Sequence, residues 1–466
     1  MLIRYFRIND PYRLVGLLIL MLIIFMPLLI NNPGITIPEL KSILIGERLN
    51  DGKDMYVSVV DNTAPLTAWF HEMMESLFGR SILARHIIAF TLMFLQAAYL
   101  GIMFITRKVF NENTYIPSFL FCLLFFISFD TLALTGDLIG FTFLLLALNN
   151  LFKEIEFRVQ YDETIFNLGL FISIASLFSF AFSIYILWVM IVLVFFTRST
   201  PRKFLLLVFG FLLPHLLVIS IAYLNDSLGK MWDYYYLANL TFKRDVLMSA
   251  SGILAIAILP LVFLVVSVVM LQREARLSKY QSQVLQIMFL WIGFTLVYFF
   301  YAKNMRPQNL IVFIPALALI FTHFFLSIRR RKFLELNSWA LILGVITMGF
   351  LVRYNKIKAV DYSRLLVNDQ NKPFKDKKVA VLADDLSWYR ANKLGLPYLN
   401  WKLSQGIFLE PEYYENITEV YHNLNADDPD AIVDPAGLLE PFFNRFPQEK
   451  LKYVREGNVY LKRISN

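Results

Sequence analysis

Apolar residues in this chain gather in runs of roughly 18 or more that recur from near the N-terminus to about Leu351. Each run is long enough to cross a hydrocarbon core about 30 Å thick as a helix. About eleven spans are expected, near 14–31, 83–106, 116–130, 136–152, 164–180, 182–198, 203–224, 250–271, 285–302, 308–328 and 336–352. The stretch from Phe166 to Phe196 is interrupted only by Ser-Phe-Ala-Phe-Ser at Ser179 to Ser183, and it is split there. Arg4, Arg7 and Arg13 precede the first run as in a signal peptide, but Asn31-Asn32-Pro33 makes a poor cleavage site, so a retained helix is expected.

From about Lys356 the pattern changes: Asp, Glu, Lys, Asn and Pro become frequent and no run could span a bilayer. Lys377 to Asp385 is a short apolar run ending in acids, as a buried parallel strand ends on leaving its core. Asn416 to Leu424 reads as a helix, Asp430 to Pro435 as a second strand, and Leu451 to Arg463 as a hairpin turning at Glu456-Gly457-Asn458. The expected architecture is therefore an α-helical polytopic membrane protein, residues 1–352 with an outer loop at 31–82, followed by a small extracytoplasmic α/β domain, 353–466.

Composition agrees: 57% of residues are hydrophobic, 17% are charged and the mean hydropathy is +0.55. The formal charge of +8 would suggest nucleic acid in a soluble protein. Here the cations cluster in short loops, at Arg107 and Lys108, Lys153 and Arg158, Arg198 to Lys203, Arg273 to Lys279, and Arg329 to Lys332. With the N-terminus inside, all five loops are cytoplasmic, which excludes nucleic acid as the explanation and, with an odd number of spans, sends the C-terminal domain outside. The single cysteine, Cys122, lies in an apolar run and rules out a disulfide framework or a thiolate metal site.

Candidate chemistry begins in the first outer loop, which is too long for a simple connector. Two helical patterns, from Pro38 and from Pro65, read as amphipathic helices lying in the membrane interface, with Trp69 in the aromatic belt and Arg80 and Arg85 against headgroups. Between and around them lie Asp51, Asp54 and Asp61, with Glu39, Glu47, His71 and Glu72 nearby. Such a cluster could bind a divalent cation or serve as general base on a lipid-carried substrate. On spacing alone the plainer reading is a hydrated loop, because no pair repeats at metal-ligand spacing. Near the end of the membrane region, Lys303 and Arg306 stand on the side where such residues are disfavoured; they could hold a lipid phosphate or snorkel at a helix end. Asp130 and Asp137 read as caps, Trp232 to Tyr236 as an interfacial anchor, and His215, His323 and Asp384-Asp385 as weaker candidates.

The order of Ala64-Pro65-Leu66, Trp69, Leu77-Phe78-Gly79 and Arg85 after a first span resembles the first loop of the GT-C polytopic glycosyltransferases, which include aminoarabinose and protein mannosyltransferases. Tyr301 to Phe324, with Lys303, Arg306 and a Pro-Ala-Leu-Ala run, is similar to the late outer loop of that fold. Leu49 to Leu66 and Leu382 to Trp401 also resemble multi-spanning proteins of Bacteroidota. The resemblance implies transfer of a sugar from a polyprenyl-phosphate carrier at the outer face of the bacterial inner membrane. The C-terminal domain would be periplasmic, and the partners membrane lipids and the carrier-linked sugar. It implies Glu39, Asp54 and Asp61 for base or metal work, and Lys303, Arg306, Trp69 and Arg85 for substrate or lipid phosphate. The cofactor stays open, a divalent cation being one candidate. The family's catalytic aspartate falls here at Pro38-Glu39, where a longer glutamate stands, so the alternative is an inactive GT-C-like scaffold gripping a cell-envelope protein partner. A transporter is disfavoured, since no inverted repeat or paired intramembrane charges stand out.

Overall fold

The computed structural model describes residues 2–30, 34–157, 162–197, 200–241, 244–274, 277–354, 356–368 and 373–463. Asn31 to Pro33, and the loop cations Arg158, Arg198 and Arg276, lie outside the described residues. The chain forms two compact units: Met1–Gly34, Ile82–Leu217 and Phe242–Leu365 make one, and Ile35–Ser81, Val218–Thr241 and Leu366–Asn466 make the other.

The first unit is helical apart from one short parallel strand pair, Asp245–Val246 with Asn304–Met305. Among the described residues seven helices are long and apolar enough to cross a membrane: Ile82–Thr106, Gly136–Glu156, Pro201–Leu224, Ala250–Gln272, Lys279–Tyr301, Pro307–Ser327 and Arg331–Arg353. Shorter apolar helices occupy the remaining expected spans, at Arg13–Ile30, Ile116–Phe125, Asp162–Phe178 and Tyr185–Phe196. The chain is thus a polytopic, mainly helical membrane protein, while the count of eleven crossings exceeds the seven that length and composition support. The expected break in the 166–196 stretch is present as the 3₁₀ turn Phe180–Ile184.

Close helix crossings in this unit depend on glycine. A Cβ on Gly169 would lie 2.2 Å from the carbonyl oxygen of Leu207, and one on Gly210 2.2 Å from that of Phe166, so two backbones approach at reciprocal glycines. In a bilayer, where apolar burial between helices gains little over lipid, such close approach is what holds helices together. Gln96 adds hydrogen bonds to the Leu138 carbonyl at 2.9 Å and to Thr142 at 2.8 Å. Trp291 stacks edge-on against Trp188 and donates its indole N–H to Val312 at 2.8 Å, which satisfies the polar end of a buried ring.

The second unit is built on a five-stranded sheet with strands β1 Lys378–Val381, β2 Lys393–Leu394, β3 Ala431–Val433, β4 Tyr453–Glu456 and β5 Val459–Lys462. Their order is β2-β1-β3-β5-β4; β1 runs parallel to β2 and β3, and the β4–β5 hairpin joins β3 antiparallel, as the sequence pattern predicts. The expected division at residue 352 is redrawn, because the outer loop and this sheet share one core. Val60 is fully buried beside Ala380, Leu396, Phe408 and Ile432, and its N–H and C=O bond the backbone at Pro397 (2.7 Å) and Asn400 (3.0 Å).

This packing also corrects the reading of the first loop helix. Ile37–Asn50 is buried from Pro38 through Leu49 except at Lys41, so it is not an amphipathic helix lying on a membrane. Its polar residues are satisfied from within: Glu47 binds Arg80, and Arg48 chelates Asp427 at 3.1 and 2.6 Å. Arg80, expected against headgroups, donates instead to Glu47 and to the carbonyls of Tyr389, Arg390 and Asn392. The Pro65–Phe78 helix keeps the expected two faces, burying Ala68, His71 and Met74 and exposing Trp69, Met73, Leu77 and Phe78.

Candidate functional site

In the first unit an apolar cavity of about 530 Å³ runs along residues 124–131, 250–264, 292–300 and 307–317. Among the described residues, Ser128 and Thr131 are the only hydrogen-bonding side chains on its wall. Phe300 and Pro307, which bracket Lys303 and Arg306 in sequence, also line it. The loop between them is well satisfied. Arg306 is 3% exposed and binds Asp137 at 2.6 Å, while Asp137 also accepts from Ser179 at 2.6 Å. The Arg306 Nε has no partner among the described residues. Asp130 accepts the Gln308 N–H at 2.9 Å and the Ser128 hydroxyl, and Gln308 reaches Thr135 at 2.8 Å and the Ala133 carbonyl at 2.7 Å.

Lys303 is half-buried, and its desolvation lowers the ammonium pKa against the opposing pull of Asp245. Arg306 therefore spends much of its charge on Asp137, and Lys303 is the more accessible cation of the two. Arg85 is buried near the start of the Ile82–Thr106 helix.

In the second unit, a cavity of about 240 Å³ is lined by Lys53, Asp54, Tyr56, Trp69, Glu72 and Asn225, with apolar floor residues from both the loop and Val218 to Met231. Pro65 starts the helix that carries Trp69 and Glu72, and their three-residue spacing puts both on one face. Asp54 is exposed and Glu72 half-buried. Among the described residues no side-chain hydrogen bond, ion pair or ring contact engages Asp54, Trp69 or Glu72. Lys53 is held by Asp427 at 3.1 Å.

Tyr56 is anchored by donating to the Thr63 carbonyl at 2.7 Å, and burial pushes its phenol well above the usual range, with Asp61 adding to the effect. Its backbone sits at φ 71°, a left-handed conformation that costs a β-substituted residue on the order of 1–3 kcal/mol and tends to occur at functional sites.

The other two carboxylates singled out by sequence have structural partners. Glu39 closes a capping box: its carboxylate accepts from the Thr36 N–H at 2.9 Å and hydroxyl at 2.8 Å, while its own N–H reaches the Thr36 oxygen. Asp61 is 1% exposed, takes the Thr63 N–H at 3.0 Å and the Thr63 hydroxyl, and faces Lys41 at 3.4 Å. Of the three, Asp54 is the one that lines the cavity of about 240 Å³. No group of three or more His, Cys, Asp or Glu able to hold a metal ion occurs among the described residues.

The sequence pattern singles out Trp69, Glu72 and Asp54 but passes over Lys53 and Tyr56. The i,i+3 spacing of Trp69 and Glu72 is a readable signal; the positive φ of Tyr56 is not.

No protein-family model matches the sequence, and no curated protein matches it. Among solved structures, ArnT from Cupriavidus metallidurans bound to undecaprenyl phosphate aligns over 97% of this chain and 98% of its own, with a TM-score of 0.55 and 10% identity. The apo oligosaccharyltransferase from Archaeoglobus fulgidus aligns over 95% of this chain and 73% of its own, with a TM-score of 0.49 and 11% identity. The chain shares the GT-C fold.

Proposed function

We propose that this GT-C-fold protein is a membrane glycosyltransferase that takes a sugar from a polyprenyl-phosphate carrier at the outer face of the inner membrane. The observation that carries the reading is the apolar cavity of about 530 Å³ within a fold shared with a protein bound to undecaprenyl phosphate. Its volume falls within the roughly 300–1,000 Å³ of pockets that enclose organic ligands, and its wall is suited to isoprene units. Lys303, in the loop between the lining residues Phe300 and Pro307, is assigned to the phosphate, with Arg306 holding the loop through Asp137 and lending its remaining donor.

Asp54 is assigned as general base. It accepts the proton of the acceptor hydroxyl as that oxygen bonds to the anomeric carbon; the anomeric carbon–phosphate oxygen bond breaks, and polyprenyl phosphate is the leaving group. Glu39 and Asp61 serve as positioning carboxylates for the loop, Trp69 as a substrate contact and Arg85 as a buried cation near the start of its span. Support for the outer-face assignment comes from the basic loops, whose alternation favours a cytoplasmic N-terminus and, with an odd number of spans, a periplasmic C-terminal domain.

The test is the glycolipid and glycan profile of cells carrying Asp54→Asn beside a deletion strain. An altered profile in both supports the transferase; an altered profile in the deletion alone refutes Asp54 as base. One observation favours the second reading, a catalytically inactive scaffold for a cell-envelope complex: the acidic residue at the family's catalytic place, Glu39, is committed to a helix cap. A set of single variants at Asp54, Glu72 and Lys303 that all leave the profile intact, with an envelope protein co-purifying, would decide for it.

A further inference from the structure

We propose that the cavity in the second unit is a monosaccharide site that accepts neutral or amino-substituted rings and rejects anionic ones. Two carboxylates, Asp54 and Glu72, and one indole, Trp69, face the same space, and none of the three is engaged by another side chain among the described residues. The buried acids nearby, Glu39, Asp61 and Glu47, are paired within the fold, whereas Asp54 is exposed and Glu72 half-buried at the cavity, open to a ligand. Unpaired acceptors beside an unstacked ring are instead complementary to a ligand that brings donors on its rim and a flat C–H face.

Size limits that ligand. At about 240 Å³ the cavity is below the roughly 300–1,000 Å³ range of drug-sized pockets, so it takes one ring rather than a chain. Charge sets its class. Among the described residues Lys53 is the one cation lining the cavity, and its ammonium is bound to Asp427, so it does little to offset Asp54 and Glu72. A carboxylate or phosphate on the ligand would face two like charges in a half-enclosed space; hydroxyls or an ammonium would be accepted by both. Tyr56 also lines the cavity, held in a strained backbone conformation with its hydroxyl donated to the Thr63 carbonyl. The proposal deepens the glycosyltransferase reading, and it identifies where this chain holds the sugar ring rather than the carrier.

The experiment is saturation-transfer NMR on the full chain in detergent micelles, with the methyl glycosides of glucose, mannose, galactose, glucosamine and glucuronic acid as probes. At least one neutral or amino glycoside is expected to receive saturation on its ring protons, and the glucuronide none. Trp69→Ala should abolish the signal and Trp69→Phe retain most of it, which separates loss of stacking from loss of fold. The double variant Asp54→Asn, Glu72→Gln should admit the glucuronide. Binding by none of the five, equal binding of the glucuronide to the unaltered protein, or full binding by Trp69→Ala would each overturn the proposal. Binding as described together with a cellular glycan profile left unchanged by deletion of the whole chain would leave the sugar site standing and refute the transferase assignment, so the two readings fail separately.

Discussion

Replacing Asp427 should cost the second unit far more than replacing the arginine it binds. Asp427 lies at the end of the helix Tyr414–Asp427, with its side chain 4% exposed; Arg48 grips it through two nitrogens at 3.1 and 2.6 Å, and Lys53 approaches at 3.1 Å. Asp427→Asn keeps the shape and removes the charge, leaving two cations facing a neutral amide. Breaking a buried pair on one side costs about 3–5 kcal/mol, because the remaining charge stays desolvated. Arg48→Met leaves Asp427 with Lys53, so the loss is one set of charged hydrogen bonds, about 1.5–3 kcal/mol. For a unit in the 150–250 residue range each kcal/mol moves the midpoint by roughly 2–4 °C, giving a fall on the order of 10 °C for Asp427→Asn and about half that for Arg48→Met. The double change Arg48→Met, Asp427→Leu removes both charges and should be milder than Asp427→Asn alone. Thermal scans of the full chain in detergent, followed by tryptophan emission, measure all three. Equal or reversed costs for the two single variants would refute the claim that Asp427 neutralises two cations and that the loop and the C-terminal segment share one folded unit.

The same geometry sets three further outcomes. Glu39→Gln should preserve the Ile37–Asn50 helix, since glutamine completes a capping box as glutamate does, whereas Thr36→Ala should cost about 1 kcal/mol; thermal midpoints check both, and a glycan profile lost in Glu39→Gln at unchanged stability would move the base role from Asp54 to Glu39. Gly210→Val should lower stability by about 1–3 kcal/mol or more, because the new side chain meets the Phe166 carbonyl, while Gly293→Ala, with open space around it, should be neutral or mildly stabilising; detergent-solubilised yield and midpoint distinguish them. Lys303, its pKa lowered by burial, loses its charge at a lower pH than an ordinary lysine, so donor binding should weaken as pH rises through that lowered value. Lys303→Arg should remove this alkaline decline, and an unchanged pH profile in a polyprenyl-phosphate binding assay would refute the phosphate role.

The sheet and the membrane helices are legible because each is written in a local period. Lys377 to Asp385 shows a buried strand leaving its core, and the 451–463 segment shows a hairpin with Gly457 at φ 62° in its turn. Even the weak Ser179 to Ser183 interruption marks a true break between helices. The first loop misleads for a different reason. Lys41, Glu47 and Arg48 make the Ile37–Asn50 segment look solvated on one side, and nothing local states that Asp61, Arg80 and Asp427 will meet them. Burial of a charge is decided by a partner that can lie hundreds of residues away, as Asp427 does for Arg48.

Internal donors sort the candidate carboxylates better than their sequence neighbourhood could. Glu39, Asp54 and Asp61 sit in one polar stretch and look equivalent as letters. In the fold, Glu39 and Asp61 are buried and surrounded by donors from their own loop, while Asp54 and Glu72 are left to a cavity. A carboxylate whose lone pairs are taken by the backbone stabilises structure and is poorly placed to take a substrate proton; one that faces a cavity unpaired can do so. What separates a structural acid from a chemical one here is therefore the supply of internal donors, and that supply is set by the Pro65 helix start, the Thr36 cap and the Tyr56 turn rather than by the acids themselves.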